Sequence, residues 1–275
     1  MKTINCKGIL IDLSSPKVMG ILNCTPDSFY DGGKLNSDTK VLNHTEKMLN
    51  EGATFIDVGG YSSRPNALHI SEENELKRVL PAIELLVKEF PGILISVDTF
   101  RSKVAKECVN SGACMVNDIS AGMMDVDMFS TITKLQVPYI IMHMQGSPQN
   151  MQSNPVYKDI VHEIILYFSN KVNQLRALGI NDIIIDVGFG FGKTLEQNYT
   201  LLNKLALFKT LNLPILTGVS RKSMLYKLLD TTPEKALNAT TVANTIALLN
   251  GTTILRVHDV KEAIEAIKIV DLVKN

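Results

Sequence analysis

Polar and charged residues recur in this sequence at or just after the ends of short apolar runs. The recurring side chains are Asn23, Asp57, Asp98, Asn117, Asp118, His143, Asp186, Ser220, Arg256 and His258, with the segments 63–65 and 188–193. One such residue is more often a helix N-cap or a turn residue than a ligand. Because they follow every apolar run, their side chains would converge, and we interpret them as a binding site.

These polar and charged residues form two groups that suit different ligands. Asp98, Asn117 and Asp186 offer carboxylate and amide groups that match the amino and ring N–H edge of a nitrogen heterocycle. The other group suits a phosphate, with the Asn23 amide or a neighbouring oxygen available to Mg²⁺. Its members are Asn23, Ser63, Arg64, Arg256 and His258. The sequence therefore predicts a heterocycle pocket beside a phosphate pocket.

Arginine is scarce, and most of it lies in these segments. The chain has six arginines, and four follow apolar runs: Arg64, Arg101, Arg221 and Arg256. The planar guanidinium can bind phosphate or carboxylate through two N–H groups, so this placement predicts an anionic ligand. Arg101 has a second interpretation, in which it pairs with a carboxylate on a helix.

Eight apolar runs must position these side chains. They are residues 18–22, 54–58, 93–97, 114–116, 138–142, 182–185, 213–216 and 253–257. Continuous apolar character is typical of parallel strands buried on both faces. The segments between them have helical periodicity, as in the stripe Leu76, Val79, Ile83 and Leu86, and Ser71 suits the start of that helix.

Strands that alternate with helices predict an α/β fold, namely a single (β/α)₈ TIM barrel over residues 1–275. Residues 1–15 are expected to form a short N-terminal β-hairpin extension at the barrel's N-terminal mouth. The alternative is a doubly wound open sheet. Its glycine-rich dinucleotide fingerprint does not follow Leu22, where the sequence reads Asn-Cys-Thr-Pro-Asp. In a barrel, the polar residues would meet at the carboxyl ends of the strands.

Composition narrows the class of protein. The 275 residues are 45% apolar, and 28 Lys and Arg balance 28 Asp and Glu, which is ordinary for a globular chain. A neutral chain is a poor candidate for a nucleic-acid partner. The first apolar run is too short for a signal peptide, no apolar stretch is long enough for a membrane span, and the four cysteines lack metal-site spacing. We therefore expect a cytoplasmic protein with no membrane partner.

From about residue 16 to its C-terminus, the sequence resembles the dihydropteroate synthase family. The motifs that match in order and rough spacing are residues 19–33, 56–65, 96–101, 116–118, 142–146, 186–193, 220–223 and 256–259. The resemblance implies a transferase that joins 6-hydroxymethyl-7,8-dihydropterin diphosphate to 4-aminobenzoate. The products are 7,8-dihydropteroate and diphosphate, in folate biosynthesis. It also implies a sulfonamide target, an Mg²⁺ cofactor and a dissociative displacement.

The resemblance carries roles to individual residues of this sequence. It assigns the pterin to Asp98, Asn117, Asp186, Lys222 and Arg256. It assigns the diphosphate to Asn23, Ser63, Arg64, Arg256 and His258, with Asn23 as the Mg²⁺ ligand. It assigns the aminobenzoate to Phe29, Pro65, Phe189, Gly190, Lys222 and Ser223. It assigns catalytic roles to Asp98, Arg256 and Lys222.

The sequence departs from the family at a few positions. Ser63 stands where the family usually has Thr, which retains the hydroxyl, and Asn66 stands where Gly is usual, although Asn tolerates left-handed backbone. The resemblance further implies a homodimer, for which residues 237–249 or 263–273 could supply the surface.

Three other functions fit a barrel of this kind. One is methyl transfer from methyltetrahydrofolate to a corrinoid protein, which uses a similar pterin grip but needs no diphosphate site. The second is a pterin-binding paralogue without activity, which should have lost Arg64, Lys222 or His258, and all three are present. The third is a sugar isomerase or aldolase, for which Lys222 is the only candidate Schiff-base lysine.

Overall fold

The structure, a computed structural model, describes residues 3–24, 34–62, 69–147, 151 and 155–274, with backbone alone for 34–37. Eight parallel strands close a TIM barrel in which consecutive strands are neighbours and the last strand pairs with the first, and a two-stranded antiparallel hairpin precedes it. The predicted (β/α)₈ barrel and the N-terminal hairpin are therefore confirmed.

The strands of the described chain have the following bounds. They are β1 (Thr3–Cys6), β2 (Ile9–Asp12), β3 (Lys17–Asn23), β4 (Phe55–Gly59), β5 (Ile95–Asp98), β6 (Met115–Asp118), β7 (Tyr139–Met142), β8 (Ile183–Asp186), β9 (Ile215–Thr217) and β10 (Ile254–Val257). Each of the eight predicted apolar runs overlaps one barrel strand, β3 to β10. Several strands extend into the polar residue that was expected to follow them.

The helices surround the barrel. They are α1 (Lys34–Asn50), α2 (Glu72–Glu89), α3 (Ser102–Asn110), α4 (Met128–Leu135), α5 (Ile160–Ala177), α6 (Leu195–Asn203), α7 (Ser223–Tyr226), α8 (Leu237–Leu249) and α9 (Val260–Lys274), with 3₁₀ helices at Leu205–Leu211 and Pro233–Lys235. Ser71 caps α2 as predicted, since its hydroxyl accepts the Asn74 N–H. No helix among the described residues is both long and apolar enough to cross a membrane.

The two-residue period of a strand separates the barrel interior from the layer beneath the helices. Val58, Val97, Val116, Ile141 and Ile185 point outward and form one core with the buried faces of the helices. The intervening residues point inward. Each barrel strand therefore carries one apolar face for the helices and a second face for the interior.

On four of the eight strands, β4, β6, β8 and β10, an inward apolar residue at the start of the strand is followed two positions later by an inward polar residue. Phe55 precedes Asp57, Met115 precedes Asn117, Ile184 precedes Asp186, and Ile254 precedes Arg256. A step of two residues keeps the same face, so each polar side chain sits above an apolar one. The barrel thus has an apolar floor and a polar upper layer.

The hairpin covers this floor. Ile4, Cys6 and Leu13 are buried and belong to one cluster with the floor residues Met19, Phe55, Met115, Ile140, Ile184, Leu216 and Ile254. Register pairs in the hairpin run from Thr3–Asp12 to Cys6–Ile9. The hairpin closes the N-terminal mouth, so chemistry is confined to the opposite end.

Truncating the buried side of the hairpin should destabilise the protein far more than truncating its exposed side. Ile4 is 1% exposed and Leu10 is 71% exposed. We expect Ile4→Ala to cost about 2–5 kcal/mol in the free energy of unfolding, because it leaves a cavity beneath the floor. Leu10→Ala is the matched control, with an expected effect within about 0.5 kcal/mol. Urea unfolding followed by circular dichroism measures both, and equal effects would contradict the packing described.

Candidate active site

Arg256, on β10, lies between two carboxylates of neighbouring strands. Its Nε donates to Asp57 Oδ2 at 2.6 Å, and its Nη2 donates to Asp98 Oδ2 at 2.7 Å. Asp57 is fully buried on β4, and Asp98 ends β5. Burial lowers the pKa of the guanidinium, but the charges of Asp57 and Asp98 outweigh it, so the net shift is upward. The arginine stays cationic and joins β10 to β4 and β5.

Asn117 and Asp186 complete the polar layer on β6 and β8. Asn117 Nδ2 donates to the same Asp57 oxygen at 3.0 Å, so Asp57 orients both the amide and the arginine. Asp186 Oδ1 accepts the Gly188 N–H at 2.8 Å. Burial raises the pKa of Asp98 and of Asp186, although Arg256 opposes the first shift and Lys222 the second. Carboxylates whose negative charge is incompletely neutralised suit a ligand with N–H donors.

Lys222 brings a second cation to this layer from the residue before α7. Its ammonium donates to the Phe189 carbonyl and lies 4.6 Å from the centre of the Phe191 ring. A cation over an aromatic face at this distance is attracted to the ring's π electrons. Burial lowers the pKa of Lys222 to about 8, against the opposing charge of Asp186.

The loop after β8 places its two phenylalanines differently. Phe189 is fully buried and its side chain belongs to the helix-side core, so it presents only its carbonyl to Lys222. Phe191 packs instead with Met142 and Met144 beside the site. Gly190 has φ of +82°, and its N–H donates to Asn198. Of the two phenylalanines in this loop, Phe191, which the sequence did not single out, is therefore the one whose ring lies beside Lys222.

His258 follows β10 and contacts Ser220, which follows β9. Ser220 Oγ accepts the His258 backbone N–H at 3.1 Å and lies 3.0 Å from His258 Nδ1. Either atom of this pair can be the donor, and where the hydroxyl donates to Nδ1 the ring proton lies on Nε2. Nε2–H is a donor suited to an anion. Ser223 begins α7 next to Lys222.

Asn23 ends β3 on the inward face, two residues beyond Ile21 and opposite Gly59 in register. The strands on either side of β3 are β4 and β10, which carry Asp57 and Arg256. The predicted ligands Phe29, Ser63, Arg64 and Pro65 lie outside the described residues. Within the described chain, no group of three or more His, Cys, Asp or Glu side chains could hold a metal.

Two of the four arginines singled out by the sequence, Arg101 and Arg221, pair with carboxylates outside the polar layer, so these two do not support the predicted anionic ligand. Arg101 pairs with the buried Glu75 of α2, which was its second interpretation. Arg221 makes a two-fold contact with Asp259, at 2.9 and 2.8 Å, and donates to the carbonyls of Pro233 and Glu234. These guanidinium groups hold loops together.

Asp57 is the site residue whose role the sequence did not reveal. It was visible as a charged residue inside an otherwise apolar run, but nothing nearby in sequence indicates its partners Asn117 and Arg256. An inward charge two residues beyond a floor residue is the pattern that could have identified it.

Comparison with known proteins agrees with this geometry. The profile of the pterin binding enzyme family matches residues 19–258. Dihydropteroate synthase of Escherichia coli K12 is 44% identical over 267 residues, which are 96% of this chain and 94% of that protein. The Bacillus subtilis enzyme of the same name is 39% identical over 260 residues, 94% of this chain and 88% of that one.

Solved structures give the same result. Yersinia pestis dihydropteroate synthase in complex with a sulfonamide drug superposes with a TM-score of 0.93 at 42% identity, over 99% of both chains. The Xanthomonas albilineans enzyme with 4-aminobenzoic acid has a TM-score of 0.92 at 36% identity, over 99% of this chain and 98% of that one. The chain thus belongs to the pterin-binding enzymes, and within them to the dihydropteroate synthase family.

Proposed function

We propose that the chain condenses 6-hydroxymethyl-7,8-dihydropterin diphosphate with 4-aminobenzoate to give 7,8-dihydropteroate and diphosphate. The observation that carries the proposal is the polar layer built on Arg256, Asp57 and Asp98, beside Asn117, Asp186 and Lys222. It combines carboxylates that accept N–H groups with cations that bind anionic oxygens. The Xanthomonas relative with 4-aminobenzoic acid supports the amine as second substrate.

Asp98, Asn117 and Asp186 would hold the pterin ring. They lie on strands β5, β6 and β8, whose backbone positions are fixed by the barrel ladder. The carboxylates accept the amino and ring N–H groups, and the amide can both donate and accept. Lys222 and Arg256 flank the ring with positive charge. Rigid placement of this kind aligns the reacting carbon without a further ordering cost at the moment of reaction.

The diphosphate would lie above the mouth near His258 and Arg256. Bond cleavage moves negative charge onto the diphosphate, and fixed cations stabilise that charge as it forms. Ser63 and Arg64 would contribute from the β4–α2 connection, and Asn23 from β3. The departing anion leaves a cationic methylene carbon on the pterin. Asp98, next to Arg256, would stabilise that positive charge before the amine attacks, as in a dissociative displacement.

Asn23 would be the protein ligand for Mg²⁺. A single amide oxygen fits this ion, which keeps several waters and completes its octahedron with substrate phosphates. When bound, the ion supplies positive charge to the leaving group. Among the described residues, no group of three or more His, Cys, Asp or Glu side chains could hold the ion instead. The proposed ion would therefore take most of its ligands from water and substrate.

The amine slot would lie between Lys222 and the loops after β4 and β8. Phe191 supplies an aromatic wall, Gly190 and the Phe189 carbonyl its edge, and Ser223 a hydroxyl beside Lys222. Phe29 and Pro65 would complete it. The Lys222 ammonium suits the carboxylate of 4-aminobenzoate. A sulfonamide, which resembles that substrate, would occupy the same slot.

We further propose that the chain is one domain, residues 1–275 with 1–15 as its hairpin extension, and that it forms a homodimer in the cytoplasm. Val242, Ile246 and Leu249 leave apolar side chains exposed on α8, as do Leu272 and Val273 on α9. An apolar surface of that kind is typical of an interface. The four cysteines are buried thiols, which fits a reducing compartment.

A coupled assay tests the reaction directly. We expect diphosphate release that requires both dihydropterin diphosphate and 4-aminobenzoate, with dihydropteroate formed in equal amount. Diphosphate release from the pterin substrate alone, unaffected by the amine, would contradict the synthase function. Methyl transfer from methyltetrahydrofolate would support the corrinoid alternative instead.

Removing the Asp186 carboxylate should abolish tight pterin binding. Asp186→Ala is expected to weaken dihydropterin diphosphate binding by about 100-fold, because each charge-assisted hydrogen bond lost contributes about ten-fold. Asp127→Ala is the matched control, since Asp127 is exposed on the loop before α4 and caps no helix through its side chain. Titration calorimetry measures both affinities. If Asp186→Ala binds as tightly as the control, the heterocycle pocket is assigned wrongly.

Lys222 should impose an alkaline limit on activity. Its pKa is lowered by burial to about 8, so the ammonium is present below that pH and lost above it. We expect kcat/KM for 4-aminobenzoate to fall above that value by about ten-fold per pH unit. Lys222→Arg should move this step to higher pH, because the guanidinium remains protonated. An unchanged alkaline limb in that variant would show that Lys222 is not the titrating group.

A further inference from the structure

Lys193, at the end of the loop after β8, is a buried lysine that the reaction as described does not use. It is 3% exposed. Its ammonium donates to the carbonyl of Phe191 at 2.9 Å, to the carbonyl of His143 at 3.2 Å, and toward His143 Nδ1 at 3.1 Å. Burial lowers the pKa of Lys193 to about 7, and in the ammonium form these three acceptors satisfy all three donors.

The His143 ring is arranged to serve as an acceptor. It packs edge-on against Tyr167, with ring centres 4.9 Å apart, and it is buried. Burial, and next the charge of Lys193, lower the pKa of His143 to about 3. The imidazole is therefore neutral, and an unprotonated Nδ1 facing the ammonium places its proton on Nε2. Lys193 and His143 form a matched donor and acceptor pair.

This pair joins the loops after β7 and β8 where glycines already bring their backbones together. A Cβ at Gly188 would lie 2.0 Å from the His143 carbonyl oxygen, and one at Gly192 would lie 2.8 Å from the Gln145 oxygen. Both glycines have positive φ. Such close approach admits only glycine, so the two loops pack as one body and the ammonium occupies the space between them.

Phe191 connects Lys193 to the candidate site. Lys193 holds the Phe191 carbonyl, while the Phe191 ring lies under the Lys222 ammonium. We propose that Lys193 is a positioning residue for the second substrate: through His143 and the Phe191 carbonyl, it holds the aromatic wall of the 4-aminobenzoate slot against Lys222. The inference rests on the proposed function. It adds a specificity role for two residues that contact neither substrate.

The role predicts a selective kinetic defect. Lys193→Met removes all three donors while retaining an unbranched side chain. We expect KM for 4-aminobenzoate to rise about ten-fold, the effect of one charge-assisted hydrogen bond. The affinity for dihydropterin diphosphate, measured by calorimetry, should change by less than about two-fold, because Asp98, Asn117 and Asp186 stand on strands. Lys134→Met, on the exposed face of α4, is the matched control.

His143 supplies a second pair of variants that removes one contact at a time. His143→Asn keeps an acceptor near the position of Nδ1, whereas His143→Leu removes it and leaves both carbonyls in place. We expect a raised KM for 4-aminobenzoate in His143→Leu and recovery to within about two-fold of the parent in His143→Asn. Thermal unfolding by circular dichroism establishes that each variant is folded.

The outcomes separate this inference from the proposed function. If the parent protein makes no dihydropteroate, the proposed function fails whatever the variants do. If the parent is active and Lys193→Met leaves KM for 4-aminobenzoate unchanged, or weakens pterin binding equally, the positioning role is wrong. Should Lys193→Met not fold, the His143 pair decides: equal KM values in His143→Leu and His143→Asn would overturn the role.

Discussion

The upper half of this barrel depends on one cation held between two carboxylates. Arg256 contacts Asp57 and Asp98 from a third strand, 199 and 158 residues away in sequence. Without the guanidinium, two neighbouring acids would face each other in a poorly solvated interior, which is costly. With it, their negative charge is largely balanced, and Asp57 can also orient Asn117. The other polar residues of the site are arranged around this contact.

Along the barrel strands, some residues stabilise the fold and others form the candidate site. The outward residues pack against helices, and the inward residues nearest the strand start fill the floor. Those two layers bury the apolar surface that stabilises the fold. The next inward position is therefore free to carry a charge. This is why Asp57, Asn117, Asp186 and Arg256 can stand in the middle of a protein whose strands otherwise read as apolar.

The sequence was sufficient to predict the barrel, because buried parallel strands are continuous apolar runs. It was also sufficient to predict the hairpin, because apolar and polar residues alternate over residues 3–13. It was also sufficient to identify Asp98, Asn117 and Asp186 as a group, since each ends such a run. The strands extend past the apolar runs into these polar residues. This is possible because backbone hydrogen bonding between strands does not depend on the side chain.

What the sequence could not supply were contacts between distant segments. Arg101 pairs with the helix residue Glu75, as its second interpretation predicted, but nothing near Arg221 in sequence indicates that Asp259 pairs with it, so Arg221 was grouped with the ligand residues. The same holds for Asp57 and Arg256. Within the loop after β8, the choice between Phe189 and Phe191 depends on where backbone with positive φ turns the chain, and Gly188, Gly190 and Gly192 all allow it.

The hairpin beneath the floor has a consequence for the order of events. With the N-terminal mouth covered by Ile4, Cys6 and Leu13, ligands must enter and leave by the same side. In the proposed reaction, the pterin would be held by Asp186 and Asn117, which are buried on strands, and the amine would lie beside Lys222 and Phe191, which are partly exposed on the loops. A molecule in the outer position would obstruct the inner one. In that reaction the pterin substrate would bind before the amine, and both products would leave through the one open mouth.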